Sequence, residues 1–468
     1  MAGIVSYGAY VPYHRLQRST VGQALETRAG KGERAVAGFD EDTVTMAVEA
    51  ARNAMRGQKA EAVTSLSFAS TSAPYQEKLN AAAIHAALDL KPQVRALDLA
   101  GSTRAGLAGL LAAFEASRAG SNALVTMADV RLGAPEGGAE VSGGDGAAAF
   151  LVGAENVIAE VEGVYSETLE HEAVWRLPGE KFAKTWEERF GLTQIYEPLL
   201  ISAAKALAEK CGIGPGDLAC VVVDSPNPRA VATLAKAMKL PPEKIGDQFL
   251  ESVGHTGTAH AGLMLTAALD KAKPGDRILV LSVSDGVDAM LLKVTDAFAA
   301  HSIAKPVRGQ VESKRNTLAY TRYLKWREIL PFERPRRPDP ARPAGPPAFR
   351  KRRWKFGFVA SRCVKCNEPH LPPQVVCSRC GEQEMKEERF ADRKAKIATY
   401  TLDRLAYTLQ PPMVMAMLDF EGGGRVELEV TDCDPESVDI GQELELTFRR
   451  FYTADGVHNY FWKARPTR

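Results

Sequence analysis

The sequence predicts an α/β body made of two similar halves, followed by a zinc ribbon and a small all-β barrel of the OB type. Three observations lead there. Residues 1–300 alternate short apolar runs with helix-period segments, the chain repeats itself at long range, and a pair of CxxC knuckles precedes five short alternating segments.

Runs such as 220-CVVVD-224 and 278-ILVLSVS-284 are apolar without a break, which suits strands covered on both faces of a sheet. Strands are expected at 3–8, 64–71, 95–99, 122–128, 146–153, 218–224, 277–283 and 287–294. Helices are expected at 41–56, opened by Asp40-Glu41-Asp42, and at 78–88, 103–118, 191–210, 228–238 and 258–272. The repeat has an offset of 155. Ala112-Ala113-Phe114-Glu115, Gly120 and Leu124-Val125 recur as Ala267-Ala268-Leu269-Asp270, Gly275 and Leu279-Val280, and Thr103 falls on Thr258. Each copy reads helix, glycine turn, buried strand, then a strand opening Asp-Gly (145-DGAAAFLV-152 and 285-DGVDAMLL-292). Two copies of one α/β unit imply two halves packed as one body.

Composition narrows the function classes. A chain of 468 residues has room for about three domains. Hydrophobic residues at 45% and charged residues at 25% exclude wholesale disorder. Lys+Arg 59 against Asp+Glu 58 argues against a nucleic-acid or membrane-surface binder. No apolar run approaches the roughly 18 residues of a membrane span, and the N-terminus lacks a basic region followed by an apolar one. Four of the seven cysteines cluster and three are scattered, a pattern that suits a metal site in a reducing cytoplasm better than a disulfide framework.

Charge is uneven. Residues 305–365 hold 18 Lys/Arg and 4 Asp/Glu, so the remainder is net acidic. Within them 331-PFERPRRPDPARPAGPPAFR-350 has seven prolines in twenty residues. Proline lacks an N–H and fixes φ, so an extended linker or wrapping arm without helix is expected there. Its charge suits contact with the acidic remainder, or a phosphate-bearing ligand such as coenzyme A. The expected partition is 1–165 and 166–330 for the two halves, 331–350 for the linker, 351–390 for the ribbon and 391–468 for the barrel.

The string 363-CVKCNEPHLPPQVVCSRC-380 places Cys363, Cys366, Cys377 and Cys380 as C-x2-C-x10-C-x2-C. Four thiolates fill a tetrahedral zinc and leave no open position, so this zinc is expected to be structural. His370, between the knuckles, is not needed as a ligand. Beyond lie 396-KIATYTLD-403, 412-PMVMAMLDF-420, 424-GRVELEVTD-432, 443-ELELTFRRFY-452 and 457-VHNYFWKARP-466, five alternating segments with a Gly-rich turn at 421–424.

Several strings carry a family resemblance: 3-GIVSYGAYVP-12, 39-FDEDTVTMAVEAARNA-54, 145-DGAAAFLVG-153, 224-DSPN-227 and 254-GHTG-257 with 274-PGDRILVLSVSDG-286. Residues 3 to about 330 resemble the thiolase superfamily, and within it the archaeal and bacterial 3-hydroxy-3-methylglutaryl-CoA synthases. The resemblance implies a five-layered αβαβα fold, a homodimer, an acyl-CoA substrate and a tunnel for the pantetheine arm. Residues from about 345 to 468 resemble the zinc-ribbon/OB-fold proteins that accompany thiolase-like enzymes, in which this unit covers the CoA site of its partner. Some thiolase-like proteins with such partners act as aldolases.

The family's catalytic positions are changed in type. In 98-DLAGSTRAG-106, Thr103 stands where the resemblance implies an acylated cysteine, with Ser102 before it and Arg104 after it as a candidate for a CoA phosphate. Thr71 takes the place of the acid/base glutamate, Asp224 that of the histidine and His255 that of the asparagine. Thr71 and Asn227 are further candidates for substrate or CoA contact. A Ser or Thr hydroxyl needs an adjacent base to attack a thioester. Aldol or retro-aldol chemistry needs only one general base and donors for the enolate oxygen. The expected activity is therefore an acyl-CoA C–C lyase or synthase without a cysteine-bound intermediate. Asp224 or His255 would be the base, and backbone N–H groups near Ser102 and Thr103 the oxyanion donors. The alternatives are a Ser/Thr acyltransferase served by His255 and Asp224, and a non-catalytic scaffold for a thiolase-like partner. Ser102 and Thr103 have a plainer role as helix caps, Asp224 as a cap for the next helix, and His260 as packing.

Overall fold

The computed structural model describes residues 2–28, 30–303, 305–333, 336, 338 and 340–468. Nine strands form the body's sheet: β1 (Gly3–Tyr10), β2 (Ser65–Ala69), β3 (Arg95–Leu99), β4 (Ala123–Asp129), β5 (Gly146–Gly153), β6 (Ala159–Thr168), β7 (Cys220–Asp224), β8 (Arg277–Ser284) and β9 (Gly286–Val294). Their order across the sheet is β7-β8-β9-β6-β1-β5-β4-β2-β3. Eight match the expected strands. The ninth, β6, reads AEVEGVYSET and carries no apolar run, because most of its residues are only half buried. It pairs along its length with β9 but with β1 only at Gly3–Glu160 and Ile4–Ala159, so two smaller sheets meet at one corner.

Helices sort into three layers. Helices α1 (Thr43–Ala54) and α2 (Ala81–Ala87) cover the outer face of the first half. Helices α3 (Ala105–Arg118) and α6 (His260–Leu269) lie between the sheets, sharing a core with β1, β5 and β8. Helices α4 (Glu197–Cys211) and α5 (Arg229–Ala237) cover the outer face of the second half. The result is the αβαβα arrangement, with the repeated helices α3 and α6 side by side in the middle. Their entrances touch: a Cβ on Gly106 would lie 2.0 Å from the Thr258 carbonyl oxygen, so only glycine fits there.

The polypeptide then crosses back over the body. Tyr320, Tyr323 and Trp326 pack with Leu16 and Val36 in a small separate core. Of the proline-rich stretch, residues 334, 335, 337 and 339 lie outside the described residues. The expectation of no helix in that stretch is corrected at its end, where Gly345–Arg350 is a short helix. Its prolines occupy the first turn, where a missing N–H costs nothing.

The ribbon has strands β10 (Val359–Cys363), β11 (Pro369–His370) and β12 (Met385–Arg389). The barrel has β13 (Ala395–Asp403), β14 (Met413–Phe420), β15 (Arg425–Val430), β16 (Glu443–Ala454) and β17 (Val457–Pro466), closed in the order β13-β14-β15-β17-β16. One hydrophobic core runs from Ala47 and Ala51 of α1 and Ile84 of α2 through Phe358 and Phe390 of the ribbon to Phe448 and Trp462 of the barrel.

The seam between barrel and body is unusually charged. Lys463 Nζ lies 3.0 Å from Asp40 and 2.7 Å from Glu429. Arg449 pairs with Glu41 and Asp432. Arg465 lies 2.6 Å from Glu49, and the Tyr460 hydroxyl donates to Asp42 at 2.8 Å. All these side chains are buried. Charges removed from water are tolerated only when paired, so the barrel is fixed against α1. It also reaches the loop after β2, where the His458 N–H donates to the Tyr75 hydroxyl at 2.7 Å.

Candidate active site

Parallel strands of an α/β sheet carry their sites at their C-terminal ends, and here two such strands end in a buried aspartate: β7 in Asp224 and β4 in Asp129. Asp224 Oδ1 lies 2.9 Å from His255 Nε2, and its Oδ2 accepts the Ser282 hydroxyl at 2.8 Å. Burial pushes the Asp224 carboxyl up, but the hydrogen bond and charge of His255, with lesser help from His260 and Ser282, hold it below the usual carboxylate value. His255 Nδ1 accepts the Gly257 N–H at 3.2 Å. These bonds assign the Nε2–H tautomer, with the basic lone pair on Nδ1.

His260 stacks on His255 with ring centroids 4.3 Å apart. Burial first, and then His255, push its imidazole down to about 3, so it is neutral, as its packing role predicts. Asp224, His255 and His260 bring ligand atoms within 4.8 Å of one another. The nitrogens facing one another already have hydrogen-bond partners, His255 Nε2 with Asp224, His255 Nδ1 with the Gly257 N–H and His260 Nδ1 with the Thr256 N–H, which fits a hydrogen-bonded cluster better than a metal centre.

Asp129 organises the opposite wall. Its Oδ1 accepts the Ser70 hydroxyl (3.0 Å), the Thr71 N–H (2.8 Å) and the Ser72 hydroxyl (2.8 Å). Its Oδ2 accepts the Thr71 hydroxyl (2.9 Å) and the Thr258 N–H (2.8 Å). It therefore ties the loop after β2 to the turn that follows His255. Sequence reasoning found Thr71 but missed Asp129; the available signal was an apolar strand ending in Asp, the same pattern as at Asp224.

The remaining candidates are placed as follows. Helix α3 starts at Ala105, two residues later than expected, so Ser102, Thr103 and Arg104 form the turn leading into it. Ser102 Oγ accepts the Arg104 N–H at 3.3 Å within that turn, while the helix itself has no side-chain cap, and no hydrogen bond joins Ser102 or Thr103 to His255. Arg104 pairs with Asp288 at 3.2 Å and donates to the Glu167 carbonyl at 2.8 Å. Asn227 Oδ1 accepts the Arg229 N–H at 3.1 Å and so opens α5. Of the scattered cysteines, Cys220 sits at the far end of β7, about 13 Å along the strand from Asp224. Cys211 ends α4, and Cys433 lies against the barrel, buried and pushed up to about 12 by that burial. Two small surface clefts border Tyr7 and Phe39 respectively, and neither is lined by the site residues.

Comparison with known proteins follows this geometry. Over 335 residues the chain is 33% identical to the hydroxymethylglutaryl-CoA synthase of Pyrococcus furiosus, covering 69% of this chain and 95% of that one. The chain belongs to the hydroxymethylglutaryl-CoA synthase family. The Methanocaldococcus jannaschii synthase is likewise 33% identical over 345 residues, 70% of this chain and 99% of that one. Residues 208–294 match the family described as 3-oxoacyl-[acyl-carrier-protein] synthase III C terminal. Among solved structures, HMG-CoA synthase complexed with CoA aligns at a TM-score of 0.61 and 17% identity, over 69% of this chain and 89% of that one. The Aquifex aeolicus 3-oxoacyl-[acyl-carrier-protein] synthase III aligns at 0.56 and 22%, over 63% and 100%. These two show the shared fold.

The tail has its own matches, to the rubredoxin-like zinc ribbon domain of ChsH2 at 357–386 and to its C-terminal OB-fold domain at 388–449. The four cysteines fit zinc. Cys363 Sγ lies 3.6 Å from Cys380 Sγ, and Cys366 Sγ 3.5 Å from Cys377 Sγ. A tetrahedron with arms of about 2.3 Å has edges of about 3.8 Å, close to these separations. In this hydroxymethylglutaryl-CoA synthase relative a bound zinc would hold the two knuckles of the ribbon together. His370, on β11, stays outside that set of ligands.

Proposed function

We propose that this protein makes or breaks a C–C bond next to an acyl-CoA thioester by aldol or retro-aldol chemistry, without a covalent enzyme intermediate. The observation that supports this reading is the Asp224–His255 pair, set in a site whose helix-entrance turn offers hydroxyls but no thiol. Neither hydroxyl is hydrogen-bonded to the imidazole that would have to activate it.

In the cleavage direction, the substrate's β-hydroxyl displaces the Gly257 N–H from His255 Nδ1 and gives its proton to that nitrogen. The C–C bond breaks, its electrons pass into the thioester as an enolate, and the former carbinol carbon leaves as a free carbonyl compound. N–H groups of the turn around Ser102 and Thr103 receive the enolate oxygen, and the imidazolium returns its proton to the α-carbon. Asp224, held ionised, fixes the imidazole and stabilises its charged form. Acyl-CoA recognition is read across from relatives whose structures hold CoA or hydroxymethylglutaryl-CoA. A homodimer belongs to the same reading, with β3 as one of the two edges of the sheet.

The test uses acetyl-CoA in D2O. NMR should show deuterium entering the acetyl methyl group in the wild type and not in His255→Ala, while intact mass shows no acyl adduct. An adduct on Ser102 or Thr103 would replace this mechanism by the acyltransferase alternative. Absence of exchange with acetyl-CoA and with longer thioesters would overturn it.

A further inference from the structure

Two guanidinium groups converge on Thr71. Arg131, just beyond the end of β4, donates from Nη1 to the Thr71 hydroxyl at 3.3 Å, and Arg176 donates from Nη2 to the Thr71 carbonyl. Among the described residues neither has a carboxylate partner, whereas Arg15, Arg34, Arg104 and Arg327 elsewhere in the body are paired with acids. Asp129 is the nearby acid, but its oxygens already take five hydrogen bonds, and it is fully buried behind Thr71. Arg131 is half-buried, and its backbone is fixed: its N–H donates to Asp145 at 2.9 Å and its carbonyl accepts from Arg34 at 2.6 Å. Through Thr71 and Asp129 it is linked to the Thr258 N–H, in the turn that joins His255 to His260, which sets it at the wall of the same site.

A guanidinium stays protonated at any ordinary pH and presents paired N–H groups that match an oxyanion in shape. Two of them without counter-ions, at one residue of a site, make a receptor for an anion. The geometry points to Arg131 and Arg176 as an anion clamp that holds an oxyanion of the bound thioester, either a carboxylate on the acyl group or a phosphate of the CoA moiety. The inference rests on the acyl-CoA reading above and assigns that site a charged-substrate preference. The Thr71 hydroxyl, its proton directed to Asp129, turns a lone pair towards Arg131 and keeps that fork in place.

Calorimetric binding of glutaryl-CoA, butyryl-CoA and 3′-dephospho-butyryl-CoA tests this without requiring turnover. For a carboxylate, the wild type binds glutaryl-CoA about tenfold tighter than butyryl-CoA, and Arg131→Gln and Arg176→Gln each remove that preference with butyryl-CoA unchanged. For a phosphate, both variants weaken glutaryl-CoA and butyryl-CoA alike and leave the dephospho compound unaffected. Arg176 is exposed, so its variant serves even where Arg131→Gln disturbs folding. Unchanged affinity of Arg176→Gln and of folded Arg131→Gln for all three ligands overturns the clamp. A wild type that binds none of them overturns the acyl-CoA reading itself, and the clamp with it.

Discussion

Glu49 sits on α1 under the barrel. Its carboxylate accepts from Arg465 at 2.6 Å, from Arg52 at 2.9 Å and from the Phe448 N–H at 3.3 Å. Burial alone would push this carboxyl up, yet Arg465, Arg52 and Arg449 more than reverse the effect and hold it at about 2, against an ordinary 4.5. Glu49→Gln keeps the shape and removes the charge. A lowering from 4.5 to about 2 corresponds to roughly 3 kcal/mol favouring the ionised form, within the range for breaking a buried pair. Because the folded value is depressed, this stability is fully present above pH 4.5 and is lost as pH falls towards 2. Urea titration followed by tryptophan fluorescence checks it; Trp462 lies in the seam, 5.0 Å beneath the Arg52 guanidinium. The variant should be destabilised by roughly 3 kcal/mol at pH 7, and the gap should close as pH approaches 2. A loss under about 1 kcal/mol at pH 7, or a gap that persists in acid, refutes the claim that paired charge holds the barrel in place.

Elemental analysis should find one zinc per chain in the wild type and none in Cys377→Ser, which should also lower the barrel's protection in hydrogen exchange; unchanged protection would separate the ribbon from barrel stability. Asp224→Asn should slow deuterium entry into acetyl-CoA by roughly 10²–10⁴-fold, because the imidazolium loses its counter-charge; a rate within threefold of wild type would remove Asp224 from the mechanism. His260, neutral in the fold down to about pH 3, should make stability fall as pH drops from 6.5 towards 3, by up to roughly 1.4 kcal/mol per unit. His260→Gln should flatten that slope in acid denaturation curves, and an unaltered slope would assign it to other groups.

Much of the architecture was legible because burial on both faces leaves an unbroken apolar signature. Strands β7 and β8 show it plainly, and the 155-residue repeat places α3 and α6 in equivalent positions. Strand β6 escaped because its faces are half exposed and its sequence is mixed. The cysteine ligands were legible because thiolate spacing encodes a tetrahedron locally. Thr71, Asp224 and His255 came from flanking strings, and the structure adds what a string does not carry, namely that Asp224 and His255 touch. Arg131 and Arg176 stand far apart in sequence and meet only through folding. The charges of 40-DED-42 were legible as a helix opening, yet their partners Arg449 and Lys463 lie some 400 residues further along, beyond the reach of any local pattern.

That separation bears on synthesis. Glu49 and Arg465 are 416 residues apart, so the carboxylates on and just before α1 emerge from the ribosome long before the cations that neutralise them. Until β17 is translated, α1 must keep its acids hydrated and the face that meets the barrel uncovered, a state that invites chaperone binding. Strand β17 thus completes the layer outside α1, and a chain that stops before β17 should leave that layer unfinished.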